Sequence, residues 1–403
     1  MEKTLDRPRY TRPLKKQIDV PVIKVLTGVR RCGKTTIMNL LADHIRQLHP
    51  GATVLTINFE SILGQSIGTA DQLLDYVVRQ APDSTQRIYF FFDEIQQVQN
   101  WEKAVNALRV DYNCDIYITG SNSQMLSGDL ATHLAGRYVA FNIQPFSFAE
   151  FAQLHGESGK SQQELFNLYL SFGGFPMLKY FNFDRDESLR YLSSVYDTAV
   201  LRDVIEHHQI RDVDIFNRIL RYAIANIGRP FSANSLVKYL KSEHRSVSVD
   251  TVVNYLGFCV DAFLLARVPR QDVRGKEILK VQEKYYVADH GLREALGFSN
   301  TTDIELVLEN IVYRELVSRG YTVTVGRVGD LEIDFVAERF GAVEYYQVSY
   351  VMAEEKTRER EFGALEAVPD NHPKFVLTLD SIDFSRNGIV HKNLVDFLLE
   401  NEE

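Results

Sequence analysis

The sequence predicts an α/β chain built on a parallel sheet, followed by a helical stretch and then a second, smaller α/β part. Two patterns point there. From Val22 to Pro145 short β-rich runs alternate with amphipathic stretches, and the runs are apolar almost throughout, as strands covered on both faces are. From about Phe146 to Arg211 apolar residues instead recur at three and four, the period of a helix; short helices and a β pair follow to about Leu296, and from Thr301 a helix leads into further strands.

The first set of strands is Val22–Leu26, Thr53–Asn58, Ile88–Phe92, Ile116–Thr119 and Val139–Ile143. Helical texture follows at Phe148–Leu154, Gln162–Phe172 and Glu187–His207, interrupted by the turn Gly173-Gly174-Phe175-Pro176. Ile215–Ile227, Ser232–Lys241 and Ser248–Phe263 read as three helices, the last two with serine caps. A β pair, Leu264–Arg270 and Ile278–Val287, comes next. Three helices and a hairpin make a winged helix, with the third helix in the recognition position. Thr251, Asn254 and Tyr255 are its groove-facing candidates, and Arg270, Arg274, Lys276 and Lys280 its candidates for phosphate contact from the wing. The same apolar third helix also suits a winged helix that packs against protein. The last part has a helix at Asp303–Arg319, strands at Tyr321–Arg327, Glu332–Ala337, Glu344–Val348 and Lys374–Thr378, and a charged helix at Glu354–Glu366. Four domains result: 1–145, 146–211, 212–297 and 298–403.

With 403 residues the chain is long enough for more than one core. Its net charge of −9 argues against a general polyanion binder, although a local basic patch suffices for DNA. Cys32, Cys114 and Cys259 are odd in number and scattered, which gives neither a disulfide framework nor zinc spacing. No apolar run reaches the ~18 residues of a membrane span, and the polar N-terminus has no signal-like core. A cytoplasmic protein without membrane partners is expected.

One segment carries specific chemistry. Gly28-Val29-Arg30-Arg31-Cys32-Gly33-Lys34-Thr35 matches G-x-x-x-x-G-K-[ST] in full, with a strand before it and a helix from Thr35 after it. Backbone N–H groups from Gly28 to Thr36 would wrap phosphates, helped by the helix N-terminus. Lys34 would reach the β- and γ-phosphates, and the Thr35 hydroxyl would ligate Mg²⁺. The run Arg87-Ile-Tyr-Phe-Phe-Phe-Asp93-Glu94 supplies the acidic partner at a strand's carboxyl edge. Asp93 is then the Mg²⁺ anchor and Glu94 the group that polarises the attacking water. The chain is read as a P-loop NTPase that binds ATP with Mg²⁺ and hydrolyses it.

The next strand ends in Thr119-Gly-Ser121-Asn122-Ser123. Asn122 or Ser121 would sense the γ-phosphate, and Ser121 or Ser123 would serve equally as a helix cap. Arg137, before the last core strand, is placed either to reach a neighbouring subunit's γ-phosphate, which requires a homo-oligomer, or to form a surface ion pair.

Together TGVRRCGKTT, FFFDEIQQV, YITGSNSQML, LAGRYVAFNIQPFSFAEF and the GGFP turn resemble a bacterial and archaeal ATPase family of the AAA+ superfamily. That family joins an AAA_14-type ATPase domain to a C-terminal DUF4143-type domain. The resemblance covers nearly the whole chain and implies a helical lid over 146–211, from which Arg202 would either sense the nucleotide or form an intrahelical ion pair. It fits a machine or switch that couples nucleotide state to a DNA or protein partner.

The last domain resembles a restriction-endonuclease-like fold: Glu309 on a helix, Asp334 on one strand, then Gln347-Val-Ser349 on the next. Such nucleases carry a second acid and a lysine where Gln347 and Ser349 stand. A catalytically inactive domain used for binding or assembly is expected, since one strong carboxylate is a poor Mg²⁺ site; the alternative is an ATP-dependent nuclease.

Overall fold

The structure is a computed structural model that describes residues 4–83, 85–126, 134, 136–275 and 277–400. It divides into two compact units, one of Met1–Ile143 with Asp261–Phe263 and one of Gln144–Val260 with Leu264–Glu403.

The first unit is a five-stranded parallel sheet: β1 (Ile23–Thr27), β2 (Thr53–Asn58), β3 (Ile88–Asp93), β4 (Cys114–Gly120) and β5 (Tyr138–Asn142), in the order β2-β3-β4-β1-β5. The three inner strands β1, β3 and β4 are buried almost along their whole length, which is why they read as unbroken apolar runs. Edge strands β2 and β5 are half-exposed. Helices Lys34–Leu48, Ala70–Gln80 and Trp101–Asp111 run between successive strands. Leu73, Val77, Trp101, Ala104, Val105 and Leu108 bury one helical face of this layer against Phe90, Phe92, Ile116 and Ile118.

The second unit is built on a seven-stranded sheet in the order β12-β11-β10-β9-β8-β6-β7. Its strands are β6 (Leu265–Asp272), β7 (Glu277–Val287), β8 (Thr322–Val328), β9 (Leu331–Arg339), β10 (Ala342–Val348), β11 (Lys374–Thr378) and β12 (Val390–Asn393). The expected three helices are present as Val213–Ala225, Ala233–Ser242 and Val249–Asp261, and the hairpin after them is β6–β7. That hairpin is not a free wing. Strand β6 pairs in parallel with β8, placing Arg270 opposite Val325, so a boundary at 297/298 would cut through one sheet.

The expected lid helices are also part of this unit. Phe148, Phe151, Leu165, Phe166, Tyr169 and Leu170 share one buried core with Leu308, Ile311 and Val312 of helix Ile304–Ser318 and with Phe335 and Tyr346 of the sheet. An amphipathic face records that a helix is covered but not by what, so the helical period alone could not distinguish a lid from a sheet cover. Strand β12 and helix Leu394–Leu399 were not anticipated. The expected helix Glu187–His207 is α-helical over Arg185–Thr198 and π-helical over Ala199–Glu206.

The GGFP turn has a clear role in this unit. Gly173 sits at φ 77°, and a Cβ there would lie 1.8 Å from Asp289 Oδ1. The buried Asp289 carboxylate accepts N–H bonds from Gly174 at 2.7 Å and Gly291 at 2.8 Å. The turn is thereby fastened to the segment that follows β7. Among the described residues no helix is long and apolar enough to cross a membrane.

Candidate nucleotide site

The carboxyl edges of β1, β3 and β4 are level with one another. Thr27 pairs with Gly120 and Phe92 with Ile118, so the loop leaving β1 stands beside the acids that end β3. Gly28 at φ 140° and Gly33 at φ 104° let that loop turn, and Arg31 shares the left-handed region at φ 63°. A Cβ on Gly28 would fall 2.1 Å from the Ile143 carbonyl, so only glycine fits there. Helix Lys34–Leu48 makes its first intrahelical bond from Ile37 N–H to Gly33 O at 3.1 Å. The N–H groups at its start therefore have no partner within the helix.

Lys34 is buried, and its Nζ donates to Gly28 O at 2.9 Å and lies 3.6 Å from Glu94 Oε1. Thr35 Oγ1 donates to Asp93 Oδ2 at 2.8 Å. Asp93 also accepts from Asn58 Nδ2 at 2.8 Å and from Thr119 Oγ1 at 2.5 Å. Glu94, at φ 56°, donates its own N–H to Thr119 Oγ1 at 2.9 Å. Its carboxylate accepts from Gln96 Nε2 at 2.5 Å and Ser121 Oγ at 3.3 Å.

The two acids are shifted in opposite directions. Burial pushes both carboxyls up. For Asp93 it prevails, assisted by the charge of Glu94 and only partly offset by the Thr119 and Thr35 hydroxyls. For Glu94, Lys34 and Arg30, with bonds from Gln96 and Ser121, outweigh burial and hold the group below the ordinary range. Glu94 is thus a stable anion next to a lysine. Thr35 and Asp93 bring a hydroxyl and a carboxylate side by side, the hard-oxygen pair that Mg²⁺ takes.

The sequence-predicted residues fall as follows. Gly28, Val29, Arg30, Arg31, Cys32, Gly33, Lys34, Thr35 and Thr36 form one continuous turn and helix start, with Thr35 and Thr36 exposed. Arg30 Nη1 is paired with Glu60 Oε1 at 2.7 Å. Cys32 is a buried free thiol. Of the two candidates after β4, Ser121 reaches the Glu94 carboxylate, and Asn122 is buried next in sequence with 7% exposure. Arg137 is exposed, and its carbonyl accepts the Ile23 N–H at 2.8 Å. It therefore sits at the amino edge of β1, a strand length of roughly 15 Å from the loop after Thr27. Arg202 is exposed in the π-helical stretch of the other unit.

Sequence reasoning did not single out Thr119, Asn58, Gln96, Glu60 or Arg7. Arg7 is buried and donates from Nη1 to Cys32 O at 3.1 Å, bracing the loop from behind. A signal for Asn58 and Thr119 does exist, since each is a polar residue at the end of an apolar strand.

The wing residues need a correction. Arg270 is buried, with Nη2 on Glu332 Oε2 at 2.7 Å and Nη1 on Gln282 Oε1 at 2.6 Å, so it does not present its charge to a phosphate. Arg274 is exposed, whereas Lys276 and the Lys280 side chain lie outside the described residues. On the third helix Val252, Leu256 and Cys259 are buried, Asn254 is exposed, and Thr251 and Tyr255 are half-buried.

A sheet of this order, with a glycine-lysine-threonine turn after β1 and paired acids after β3, defines a P-loop NTPase. The AAA domain family matches residues 21–152, in agreement with the expected AAA-type core. The second match, a domain of unknown function (DUF8612), spans 163–303. It replaces the DUF4143-type domain expected over 298–403, and its span runs from the helical stretch through β7, across two of the boundaries drawn from sequence. An uncharacterized protein of Haemophilus influenzae is 36% identical over 404 residues, covering 98% of this chain and 99% of that one. Uncharacterized protein MJ1544 of Methanocaldococcus jannaschii is 31% identical over 378 residues, covering 90% and 80%. The chain belongs to one family with these two proteins. Among solved structures, AMPPCP-bound DnaA from Aquifex aeolicus is similar at 11% identity, covering 64% of this chain and 88% of that one, with a TM-score of 0.33. A likeness that loose carries no argument about the site.

Proposed function

We propose that this chain binds ATP with Mg²⁺ and hydrolyses it, and that nucleotide state governs its hold on a DNA or protein partner. One observation carries the reading. Lys34, Thr35, Asp93 and Glu94, from two separate segments, meet within 2.8–3.6 Å at one sheet edge.

In this reading the Gly28–Thr36 backbone and Lys34 hold the phosphates, and Lys34 exchanges its bond to the Gly28 carbonyl for a phosphate oxygen. Thr35 and Asp93 would hold Mg²⁺, which supplies charge neutralisation across the β- and γ-phosphates. Glu94 orients the attacking water and draws on its proton, and the Gln96 and Ser121 bonds hold its carboxylate in place. Arg137 stands too far from its own site to serve there, which supports a role only on a neighbouring copy in a homo-oligomer.

The partner surface is proposed on the three-helix segment. Lys238, Lys241 and Asn254 are exposed there, which favours contact with duplex DNA over a purely packing role. The test is phosphate release from ATP measured with and without duplex and single-stranded DNA. Mg²⁺-dependent turnover is expected, with duplex changing its rate. A folded sample that binds no nucleoside triphosphate in Mg²⁺ refutes the ATPase reading. Turnover indifferent to every DNA at low salt removes DNA as partner and leaves protein.

A further inference from the structure

The seven-stranded sheet holds a second charged cluster, independent of the nucleotide site. Lys284 on β7 is 2% exposed. Its Nζ lies 2.8 Å from Glu309 Oε1 on helix Ile304–Ser318, 2.9 Å from Glu332 Oε1 on β9 and 3.9 Å from Asp334 Oδ1. Each carboxylate has a further donor. Tyr286 Oη donates to Glu309 at 2.6 Å, Arg270 to Glu332 at 2.7 Å, and the Val348 N–H to Asp334 Oδ2 at 2.8 Å.

Glu309 and Asp334 are the acids that a nuclease-like arrangement would commit to Mg²⁺. The other positions do not complete such a site. Gln347 Oε1 is occupied by the Asp334 N–H at 3.3 Å. Glu344 is turned to the hydroxyls of Tyr321 and Tyr346, at 3.1 and 2.5 Å. Mg²⁺ demands near-octahedral oxygen ligands at about 2.1 Å, and here the converging oxygens surround an ammonium. Among the described residues no group of three or more His, Cys, Asp or Glu is arranged to hold a metal ion. The residues therefore do not fit Mg²⁺.

We propose that the Lys284 ammonium is the resident cation of this cluster, standing where a nuclease-like site would hold a divalent metal, and that it keeps the unit free of metal. The charge balance agrees. Two cations, Lys284 and Arg270, face three acids, Glu309, Glu332 and Asp334. Burial opposes the Lys284 charge, but Glu309, Asp334 and Glu332 outweigh it and raise its pKa. The ammonium therefore persists throughout the neutral range.

The test is Mn²⁺ binding to the full chain without nucleotide, read by electron paramagnetic resonance of free Mn²⁺, with thermal unfolding in Mn²⁺ and in EDTA. Wild type and Asp334→Asn are expected to bind Mn²⁺ alike. Lys284→Met is expected to gain affinity by at least about tenfold, and adding Asp334→Asn to it removes the gain. A Mn²⁺ site in wild type that Asp334→Asn abolishes overturns the proposal. So does a folded Lys284→Met chain that gains none. If Lys284→Met unfolds in EDTA but folds in Mn²⁺, the proposal is supported. If it unfolds in both, the comparison of wild type with Asp334→Asn decides.

Discussion

Thr119 Oγ1 donates to Asp93 Oδ1 at 2.5 Å and accepts the Glu94 N–H at 2.9 Å. One hydroxyl at the end of β4 thus ties both acids of β3. It lets Glu94 take its left-handed backbone while the carboxylate faces Lys34.

Removing that hydroxyl should separate chemistry from binding. Hydrogen bonds to charged groups are worth about 1.5–3 kcal/mol. Thr119→Val should therefore slow ATP turnover by roughly 10- to 100-fold, while affinity for a fluorescent ATP analogue changes little. Thr119→Ser should restore most of the rate. Equal losses in turnover and affinity would mean that Thr119 only supports the fold.

The GGFP turn should be intolerant of change for a backbone reason. Gly173→Ala places a methyl against Asp289 at a positive φ, and Asp289→Ala leaves the Gly174 and Gly291 N–H groups buried without their acceptor. Each buried orphan costs about 1–3 kcal/mol. Urea unfolding followed for the second unit should show both variants clearly destabilised, with ATP affinity at the first unit preserved. A midpoint unchanged in both would remove the anchoring role.

These residues also show how far the sequence is legible. Gly28–Thr35 and Asp93-Glu94 are local patterns whose chemistry depends on spacing along the chain, and spacing is visible. Thr119 and Asn58 act across strands and Arg7 from the segment ahead of β1, so their roles follow from tertiary placement, which a single chain does not spell out. The β6–β7 hairpin looks locally complete, and nothing in its alternation announces that β6 pairs with β8. Lys284 was hidden for the same reason. It lies on β7, 63 residues before the Gln347 that should have marked the site, and only strand order brings it to Asp334.

Cys114 should be a slow thiol. Burial pushes it up to about 11, chiefly because the thiolate would lose water. A free thiol at ~8.5 carries roughly 200 times more thiolate at pH 8. Alkylation of Cys114 in the native chain should be slower by about that factor than in urea and should accelerate toward pH 11. The same raised value stabilises the fold fully below pH ~8.5, with the contribution lost as pH climbs through 11. Rapid native labelling at pH 8 would show that the site opens.

Arg137→Ala tests the neighbour's contribution. The side chain is exposed, and its contact with Asn106 Oδ1 is long at 3.5 Å, so the stability cost should stay within about 0.5 kcal/mol. If the guanidinium serves a neighbouring site, turnover should fall by roughly 10³-fold with ATP binding intact. Mixing Arg137→Ala chains with Glu94→Gln chains should then restore activity, because some interfaces pair an intact Glu94 with an intact Arg137. Unchanged turnover in Arg137→Ala alone would end the argument.

Glu94 and Lys34 should fail in opposite ways. Lys34 is the buried cation that would meet phosphate, and Lys34→Ala removes it while leaving the Glu94 anion facing the incoming triphosphate. Both changes oppose binding, so ATP affinity should drop by at least tenfold. Glu94→Gln removes an anion 3.6 Å from Lys34 and keeps a polar group of the same shape beside Gln96 and Ser121. Binding should hold or tighten, while turnover falls by roughly 10²- to 10⁴-fold, the usual worth of a positioned base. A Glu94→Gln chain should therefore retain ATP through gel filtration when wild type has converted it to ADP. If Glu94→Gln turned ATP over at the wild-type rate, Glu94 would be only the counter-ion of Lys34, and the group acting on water would have to be sought elsewhere along the same edge.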